Sequence, residues 1–275
     1  MTSTAEPDLA VLGAPGSATT VYGTVVLTTA DLLARQERAA AAGPGATGGT
    51  VVDTLLGVLA SASFALMVDV SYVGQVLSYR YCGDQARLVQ VGPVGPDHVE
   101  LTPLEPVGLP WAVLALVRLG PRPRGALTGP VEVAVAALER AGRLLQSGGD
   151  GAADGARSLL CAGGLDPAAA AQVAALLEGQ VATWRAASGW RDPGGEQRRR
   201  TGAFLDGGPA GIVRASVVDD DGGTLRLEPA TAPEAWQEIL GLLPGRGDAA
   251  RPGLSGLDGQ PPVDMEHPAP LPSSS

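Results

Sequence analysis

Histidine is the side chain whose ordinary pKa best suits acid–base catalysis near neutral pH. The chain has two histidines, His98 and His267, and they stand in different contexts. His98 begins a predicted strand beside Asp97 and Glu100, which is typical of a solvated strand end, and His267 lies in a Gly- and Pro-rich C-terminal segment. Neither has a second histidine or a cysteine at a spacing that suits a triad or a zinc site. We therefore expect no catalytic, cofactor-binding or metal-binding residues, and a protein that is not an enzyme.

The two cysteines, Cys82 and Cys161, are too few for a disulfide framework, and they lie outside any metal-ligand spacing. We interpret both as buried free thiols in a reducing compartment.

Two short runs resemble ligand-binding loops but lack residues that such loops need. The glycine-rich run GPGATGG at Gly43–Gly49 is not followed by the Lys-Ser/Thr of a phosphate-binding loop, so it indicates a flexible link between helices. The carboxylates of Asp219–Asp221 are adjacent, whereas a calcium loop spaces its ligands and ends in a glutamate. This run predicts a solvated hairpin turn.

Arg198–Arg200 is the only run of consecutive basic residues. Two interpretations are open for it. The arginines could contact an acidic partner, or they could solvate the edge of a strand, where charge opposes unwanted strand pairing. The second interpretation is favoured.

Composition limits the partners. The 275 residues include no lysine and carry a net charge of -10, which disfavours nucleic acid or an anionic membrane as the main partner. The N-terminus lacks the basic and apolar regions of a signal peptide, and the longest apolar run is too short for a relaxed membrane span. We expect a soluble cytoplasmic protein without membrane insertion.

The chain repeats itself. GTVVLTTADLLARQERAAAAG at Gly23–Gly43 resembles GPVEVAVAALERAGRLLQSGG at Gly129–Gly149, and His98–Gly120 resembles Thr224–Gly245 in the same order. Each first segment indicates a short strand and a helix that ends in glycine, and each second segment indicates a strand, a turn and an amphipathic helix. The sequence thus predicts an internal duplication.

The duplication sets the domain boundaries. Residues 21–245 form one predicted domain, with a first half at 21–120 and a second half at 126–245. Residues 1–20 are expected to be flexible, and residues 246–275 are predicted to be a disordered tail because they are rich in Gly, Pro, Asp and Ser.

Each half contains four segments that predict a β-meander, with helices before and after it. In the second half, Asp166-Pro167 marks the start of a helix, with Asp as N-cap and Pro at the first helical position. The predicted fold class is α+β, with antiparallel sheets, helices on one face, and two pseudo-symmetric halves that share one core.

The last helix of each half has an apolar stripe. Trp236, Ile239, Leu240 and Leu243 form the stripe of the second half. The corresponding stripe of the first half is Trp111, Leu114 and Ala115, and the additional apolar residues Val113, Leu116 and Val117 indicate a helix covered on two sides.

The chain resembles a known family, the EspG family of ESX (type VII) secretion-associated chaperones from actinobacteria. The resemblance lies in TVVLTTADLLARQ near the start, in the meander RRRTGAFLDGGPAGIVRASVVDDDGGTLRLEPA, and in the final APEAWQEILGLL. It covers about residues 21 to 245, and this chain departs from the family in its Gly/Pro-rich tail and its unusually apolar first-half helix.

The resemblance implies a function and a partner. It implies a cytosolic chaperone that binds the helical tip of secreted PE-PPE-like heterodimers, keeps them soluble and releases them for export. It also implies a binding surface made by a loop between sheet strands and by helices towards the C-terminus. On that basis Gly83 and Asp84 in the first meander, and Gln172, Leu176 and Leu177 in the helix that follows Asp166, are the expected partner contacts.

The sequence is compatible with two other functions. One is a non-catalytic module that binds a small ligand in the cleft between the halves, lined by Trp184, Trp190 or Tyr79. The other is an enzyme whose site carries no recognisable motif. The sequence does not identify the clients, the oligomeric state or the role of the tail.

Overall fold

The structure is a computed structural model that describes residues 19–21, 23–42, 50–72, 75–123, 125–219 and 223–244. Four predicted features fall outside these ranges: the N-terminal segment up to residue 18, the GPGATGG run, most of the Asp219–Asp221 turn, and the tail from residue 246. The first described strand begins at Thr19, inside the segment that was expected to be flexible.

The first half contributes six strands and three helices among the described residues. In chain order they are β1 (Thr19–Val21), β2 (Thr24–Thr28), α1 (Thr29–Ala42), α2 (Val51–Ala60), β3 (Phe64–Tyr72), β4 (Gln75–Gly83), β5 (Leu88–Pro93), β6 (His98–Leu104) and α3 (Leu109–Val117).

The second half contributes five strands and four helices among the described residues. In chain order they are β7 (Val131–Ala134), α4 (Val135–Gln146), α5 (Ala152–Ala162), α6 (Pro167–Glu178), β8 (Ala182–Arg191), β9 (Gln197–Asp206), β10 (Ile212–Val217), β11 (Thr224–Ala230) and α7 (Ala232–Gly241).

Side-chain caps begin three of these helices. Asp166 accepts hydrogen bonds from the N–H groups of Ala168 and Ala169, as its position before Pro167 predicts. Thr50 and Thr231 each form a capping box with the acid three residues later, Asp53 and Glu234 respectively. The local sequence therefore determines where these helices start.

All eleven described strands form one antiparallel sheet, in the order β1-β2-β6-β5-β4-β3-β8-β9-β10-β11-β7. From β2 to β7 this order is palindromic, because replacing each strand of the first half by its counterpart in the second half reverses the list. The α+β class and the two pseudo-symmetric halves predicted from the sequence are confirmed.

The two halves join through β3 and β8. These strands pair antiparallel over eight residue pairs, from Phe64 opposite Trp190 to Ser71 opposite Thr183. Both halves continue outward from this junction by hairpins, β3–β4 on one side and β8–β9 on the other. A pseudo-two-fold axis therefore passes between the central strands.

One face of the sheet carries a core that both halves share. Alternate residues of β3 and β8, among them Val68 and Trp184, pack there with α3 and α7. Trp184 stacks on Phe204 of β9, with ring centroids 4.2 Å apart. On this face of the sheet, the prediction that the two halves share one core is confirmed.

The opposite face differs from the prediction, because helices lie on it as well. α1 and α2 cover Val25, Val89 and Leu101 of the outer strands in the first half. α4, α5 and α6 cover Leu205 and Val213 together with β11 and β7 in the second half. Helices therefore pack on both faces, and on this second face each half has its own core.

The apolar stripe assigned to α3 is wrong. Leu109, Val113 and Val117 are the buried residues of this helix, whereas Trp111 is 65% exposed. The three buried residues recur every four positions, so they form one continuous face against the sheet. In α7 the buried residues are Ala235 and Ile239, and Trp236 lies at the margin of that face.

An ion pair ties the connection between the halves to the sheet. The guanidinium of Arg122 donates three hydrogen bonds to the carboxylate of Asp206 at the end of β9, at 2.9, 3.1 and 2.7 Å. Asp206 also accepts the N–H of Gly208 at 2.8 Å. Hydrogen bonding to this carboxylate raises the pKa of Arg122.

Candidate functional site

On the second face, α1 and α2 pack over the outer strands of the first half, and α4, α5 and α6 pack over those of the second half. The centre of this face lies between the two helix groups. The side chains of β4, β3, β8 and β9 that point to this face lie between the two helix groups, and we call this strip of the sheet the central trough. Cross-strand register places its members in rows, since residues opposite each other on paired strands point to the same face. One row runs Arg80, Met67, Ala187, Thr201 and the next runs Ser78, Asp69, Arg185, Ala203.

Apolar residues form the floor of the trough and charged residues stand above it. Met67 is 6% exposed and Ala187 is 4% exposed, so the middle of the sheet is dry. Arg80 on β4 and Arg199 and Thr201 on β9 are exposed. Arg185 donates to Asp69 at 2.8 Å, and this pair spans the junction between the halves.

A cavity of about 310 Å³ opens where the trough meets α1. Its walls are mainly apolar and include Leu32 and Leu33 of α1, Leu59 of α2, and Ala65 of β3, while Arg80 lines it as well. Leu33 is 56% exposed, although its neighbour Leu32 is buried. The cavity can therefore accept an apolar group of a ligand or partner.

Cys82 also lines this cavity, and its thiol is mainly protonated near neutral pH. Burial raises the pKa of Cys82 to about 11, and the nearby positive charge of Arg80 only partly opposes that shift. The interpretation of both cysteines as buried is wrong for Cys161, which is exposed on α5.

The predicted contacts Gly83 and Asp84 form a tight turn between β4 and β5. Gly83 has a φ of +156°, and a Cβ there would lie 2.0 Å from the backbone oxygen of Arg87, so the position requires glycine. The Asp84 carboxylate accepts the N–H groups of Ala86 and Arg87 at 2.7 and 2.9 Å. Gly83 is buried and Asp84 is partly exposed.

The predicted contacts on α6 occupy three different environments. Leu176 is fully buried in the core of the second half, and Leu177 packs at its margin. Gln172 is partly exposed and exchanges hydrogen bonds with Thr128, at 3.3 Å to the hydroxyl and 3.4 Å from the backbone N–H. A partner that approaches this helix can reach Gln172 and Leu177, and it can reach Leu176 only after rearrangement of the core.

The structure does not bring these two groups together. Gly83 lies level with Phe64 and Trp190 in the register, whereas Leu176 packs beside Gly207, at the end of β9 that pairs with Ala182. Trp190 and Ala182 are separated by the length of β8, about 26 Å at 3.3 Å per residue. The five residues therefore stay a prediction with two separate surfaces.

The lining predicted for a ligand cleft between the halves is wrong. Trp184 and Trp190 are 2% and 3% exposed and belong to the shared core. Tyr79 packs over Gly92, where an added Cβ would lie 2.6 Å from its ring. The cavity beside α1 lies within the first half instead.

The three consecutive arginines have three different surroundings. Arg198 pairs with Asp192 and Glu196 at 3.0 and 2.7 Å near the β8–β9 turn. Arg200 lies 4.8 Å above the ring of Trp190 and donates to the backbone oxygens of Gly241 and Leu243 at the end of α7. Arg199 points to the opposite face, into the trough. This part of β9 pairs with β8 alone, since β10 joins only from Ala203 onward, so it is a local strand edge as predicted.

Another exposed apolar surface lies on the first face of the sheet, the face that carries the shared core with α3 and α7. Trp111 contacts Trp236 of α7 with ring centroids 5.8 Å apart. Val107, one turn before Trp111, is 80% exposed. These three residues form a small patch where α3 and α7 meet.

Sequence reasoning missed the central trough. Its signal was present as alternation: Ser78, Arg80 and Cys82 share one face of β4 while Tyr79 and Tyr81 share the other. That alternation predicts which residues share a face of the strand. It does not predict which face the helices leave uncovered at the centre of the sheet. The helix positions, which leave the trough open, follow from tertiary packing.

His98 begins β6, as predicted. In the described ranges, no three His, Cys, Asp or Glu side chains converge in a way that could hold a metal ion. None of the helices in the described part of the chain combines the length and apolar character that a membrane crossing requires.

No protein-family model matches the chain. No curated protein matches it either. Among solved structures, it is similar to the Mycobacterium tuberculosis type VII secretion system chaperone EspG5 in complex with a PE25-PPE41 dimer. The TM-score is 0.47 and the sequence identity 13%, over 82% of this chain and 88% of that chain. A likeness at this level concerns overall shape and says nothing about what this chain binds.

Proposed function

We propose that this protein is a cytoplasmic chaperone of a type VII secretion system, which binds a helical PE-PPE-like heterodimer and keeps it soluble for export. The proposal starts from the sequence resemblance to the EspG family. The observation that carries it is the second face of the sheet, where an apolar cavity lies beside exposed arginines of the central strands.

The energetics suit a client that must later be released. Covering roughly 400 Å² of apolar client surface gives about 10 kcal/mol of gross stabilisation at ~25 cal/mol per Å². The loss of translational and rotational freedom takes back about 4–15 kcal/mol. We therefore expect a reversible complex.

Co-expression tests the proposal. A PE-PPE-like gene pair from the same genome, expressed with this chain, should give a 1:1:1 complex in size-exclusion chromatography. The heterodimer expressed without this chain should be largely insoluble. Separate elution of chaperone and heterodimer at micromolar concentration would overturn the proposal.

The cavity beside α1 supports a second candidate function, the binding of a small ligand. Its volume lies at the lower end of the roughly 300–1,000 Å³ of ligand pockets, and its apolar walls carry one cation, Arg80. A medium-chain carboxylic acid has the matching chemistry. A rise in melting temperature with such acids, absent in Leu32→Trp, would favour this function over the first.

A further inference from the structure

We propose that the central trough selects a client helix that carries carboxylates, and that Arg80 and Arg199 are the residues that recognise them. This inference rests on the proposed function and adds to it the chemistry of the contacting segment.

Positive charge is concentrated on one face of the central strands. Arg80 of β4, Arg185 and Arg191 of β8, and Arg199 of β9 all point to the second face, because each lies opposite another residue of that face in the register. The one acid on this face of these strands is Asp69. The chain as a whole has a net charge of -10, so this surface is opposite in sign to the rest of the molecule.

The strand arginines on the first face are neutralised by acids. Arg214 pairs with Glu228 and Glu238, and Arg226 with Glu132 and Glu228. Arg198 pairs with Asp192 and Glu196, as described above. On that face Arg198, Arg214 and Arg226 each pair with a carboxylate of the same protein, and Arg200 lies over Trp190.

The trough arginines differ in this respect. Arg185 is held by Asp69, whereas Arg80, Arg191 and Arg199 form no ion pair or side-chain hydrogen bond with any other residue in the described ranges. All three are exposed. A guanidinium presents donors that match a carboxylate in two parallel hydrogen bonds. These three side chains are therefore available to carboxylates from outside.

The spacing of the arginines fits a helix better than a small anion. β4 and β9 are three strand spacings apart, about 14 Å, which accommodates one helix of about 10 Å diameter. Arg80 and Arg199 are offset by two residues along the strands, so their Cα atoms are about 16 Å apart. Along the strands they are only about 7 Å apart, about one turn of a helix, so the two arginines flank opposite sides of a helix that lies between β4 and β9.

The cavity supplies the apolar anchor. Arg80 lines both the trough and the cavity, where Leu33 is exposed on the wall. A helix in the trough can place one apolar side chain in the cavity and carboxylates near Arg80 and Arg199. Nucleic acid is a poorer fit, because the trough offers no exposed aromatic side chain on which bases could stack.

The test compares two charge-reversed variants of the full chain. Arg80→Glu/Arg199→Glu changes the trough. Arg38→Glu/Arg140→Glu is the control with the same change in net charge, since both arginines are exposed on helices and, within the described part of the chain, donate only to their own helix backbone. Affinity for the co-expressed heterodimer is measured by calorimetry at 50 and 300 mM NaCl, after circular dichroism shows unchanged folding.

We expect the trough variant to bind at least tenfold more weakly at 50 mM NaCl, and the control to change less than twofold. Salt should weaken binding of the wild type more than binding of the trough variant. Glutamine at the client's acidic helix positions should weaken binding to the wild type only. Arg80→Gln/Arg199→Gln, which adds no charge, should show a smaller loss in the same direction.

Equal weakening in both charge-reversed variants would overturn this inference and leave the chaperone function standing. Failure of the wild type to bind any PE-PPE-like pair would overturn both. Self-association of the wild type that the trough variant abolishes would assign the trough to a second copy of this chain. Competition by a peptide of residues 246–275 would assign it to the chain's own tail. Either result would overturn the proposed occupant.

Discussion

The indole ring of Trp111 lies against that of Trp236, with 5.8 Å between their centroids, where the last helices of the two halves meet. Trp111 is largely exposed, so it gains little from burial in the core. What it contributes is contact with its partner ring. The interaction free energy of this pair therefore reports how strongly α3 and α7 stabilise each other.

A double-mutant cycle quantifies this coupling. Trp111→Ala, Trp236→Ala and the double variant should give an interaction free energy of about 0.5–1.5 kcal/mol, the range for a pair of aromatic rings. The measurement is the free energy of unfolding in guanidinium chloride. Strict additivity of the two single substitutions would contradict a stabilising contact.

The turn at Gly83 should not tolerate a side chain. Gly83→Ala places a Cβ 2.0 Å from the backbone oxygen of Arg87, so the β4–β5 turn must shift, at a cost of about 1–3 kcal/mol. Gly142→Ala in α4 is the matched control, since nothing lies within 4 Å of its added Cβ. That substitution should stabilise the protein by about 0.5–1 kcal/mol. Thermal denaturation of both variants checks the two signs, and equal effects would refute the steric argument.

Gly83 and Asp84 are predicted partner contacts, but Gly83 is also required by the backbone of the turn. Destabilisation by Gly83→Ala reports the structural need for glycine, not a loss of client contact. A contact role at this turn is better tested with Asp84→Asn, which keeps an acceptor for the N–H groups of Ala86 and Arg87.

The two cysteines should differ sharply towards thiol reagents. Cys161 is exposed, whereas burial raises the pKa of Cys82 to about 11. At pH 8 only about one thousandth of the Cys82 thiol is ionised, and the thiolate is the reactive form. Ellman's reagent should therefore titrate one thiol quickly in the native protein and two after denaturation. In Cys161→Ser, fast native labelling should disappear; its persistence would show that Cys82 is accessible.

The capping box of α7 gives a pH-dependent contribution to stability. The backbone N–H and the hydroxyl of Thr231 donate to the Glu234 carboxylate at 2.7 and 2.8 Å, and the backbone bond is the main cause that lowers the pKa of Glu234. A lowered folded-state pKa means that stability is fully present above the ordinary value of 4.5 and is lost as pH falls through the folded value.

Glu234→Ala should accordingly lower the guanidinium midpoint at pH 7 and have a smaller effect at pH 3. Glu37→Ala, on the exposed surface of α1, controls for the loss of one carboxylate. A deficit for Glu234→Ala that is the same at both pH values would show that the carboxylate's charge does not stabilise the helix start.

Much of the architecture was predictable because it depends on local patterns. The β-branched strands, the Asp166-Pro167 start and the repeated segments each act over a few residues, and two copies in the same order imply a pseudo-two-fold arrangement. The palindromic strand order follows once β3 is paired with β8.

What could not be predicted depends on contacts distant in sequence. Trp111 has the size and apolarity of a core residue, yet Val113 and Val117 occupy the buried face because α3 packs with that side towards the sheet. Arg199 and Arg200 are adjacent in sequence but point to opposite faces. Only the layers above and below the sheet decide that one approaches Trp190 and the other lies in the trough.

The antiparallel pairing of β3 with β8 is the contact that two identical subunits would make about a symmetry axis. In such a homodimer every substitution occurs twice, so both copies must change together. A single polypeptide removes that constraint, and here one helix, α2, stands where the second half has α5 and α6. The strand order is still symmetric although the helices on the second face differ, so the two halves can present different chemistry on surfaces of related geometry.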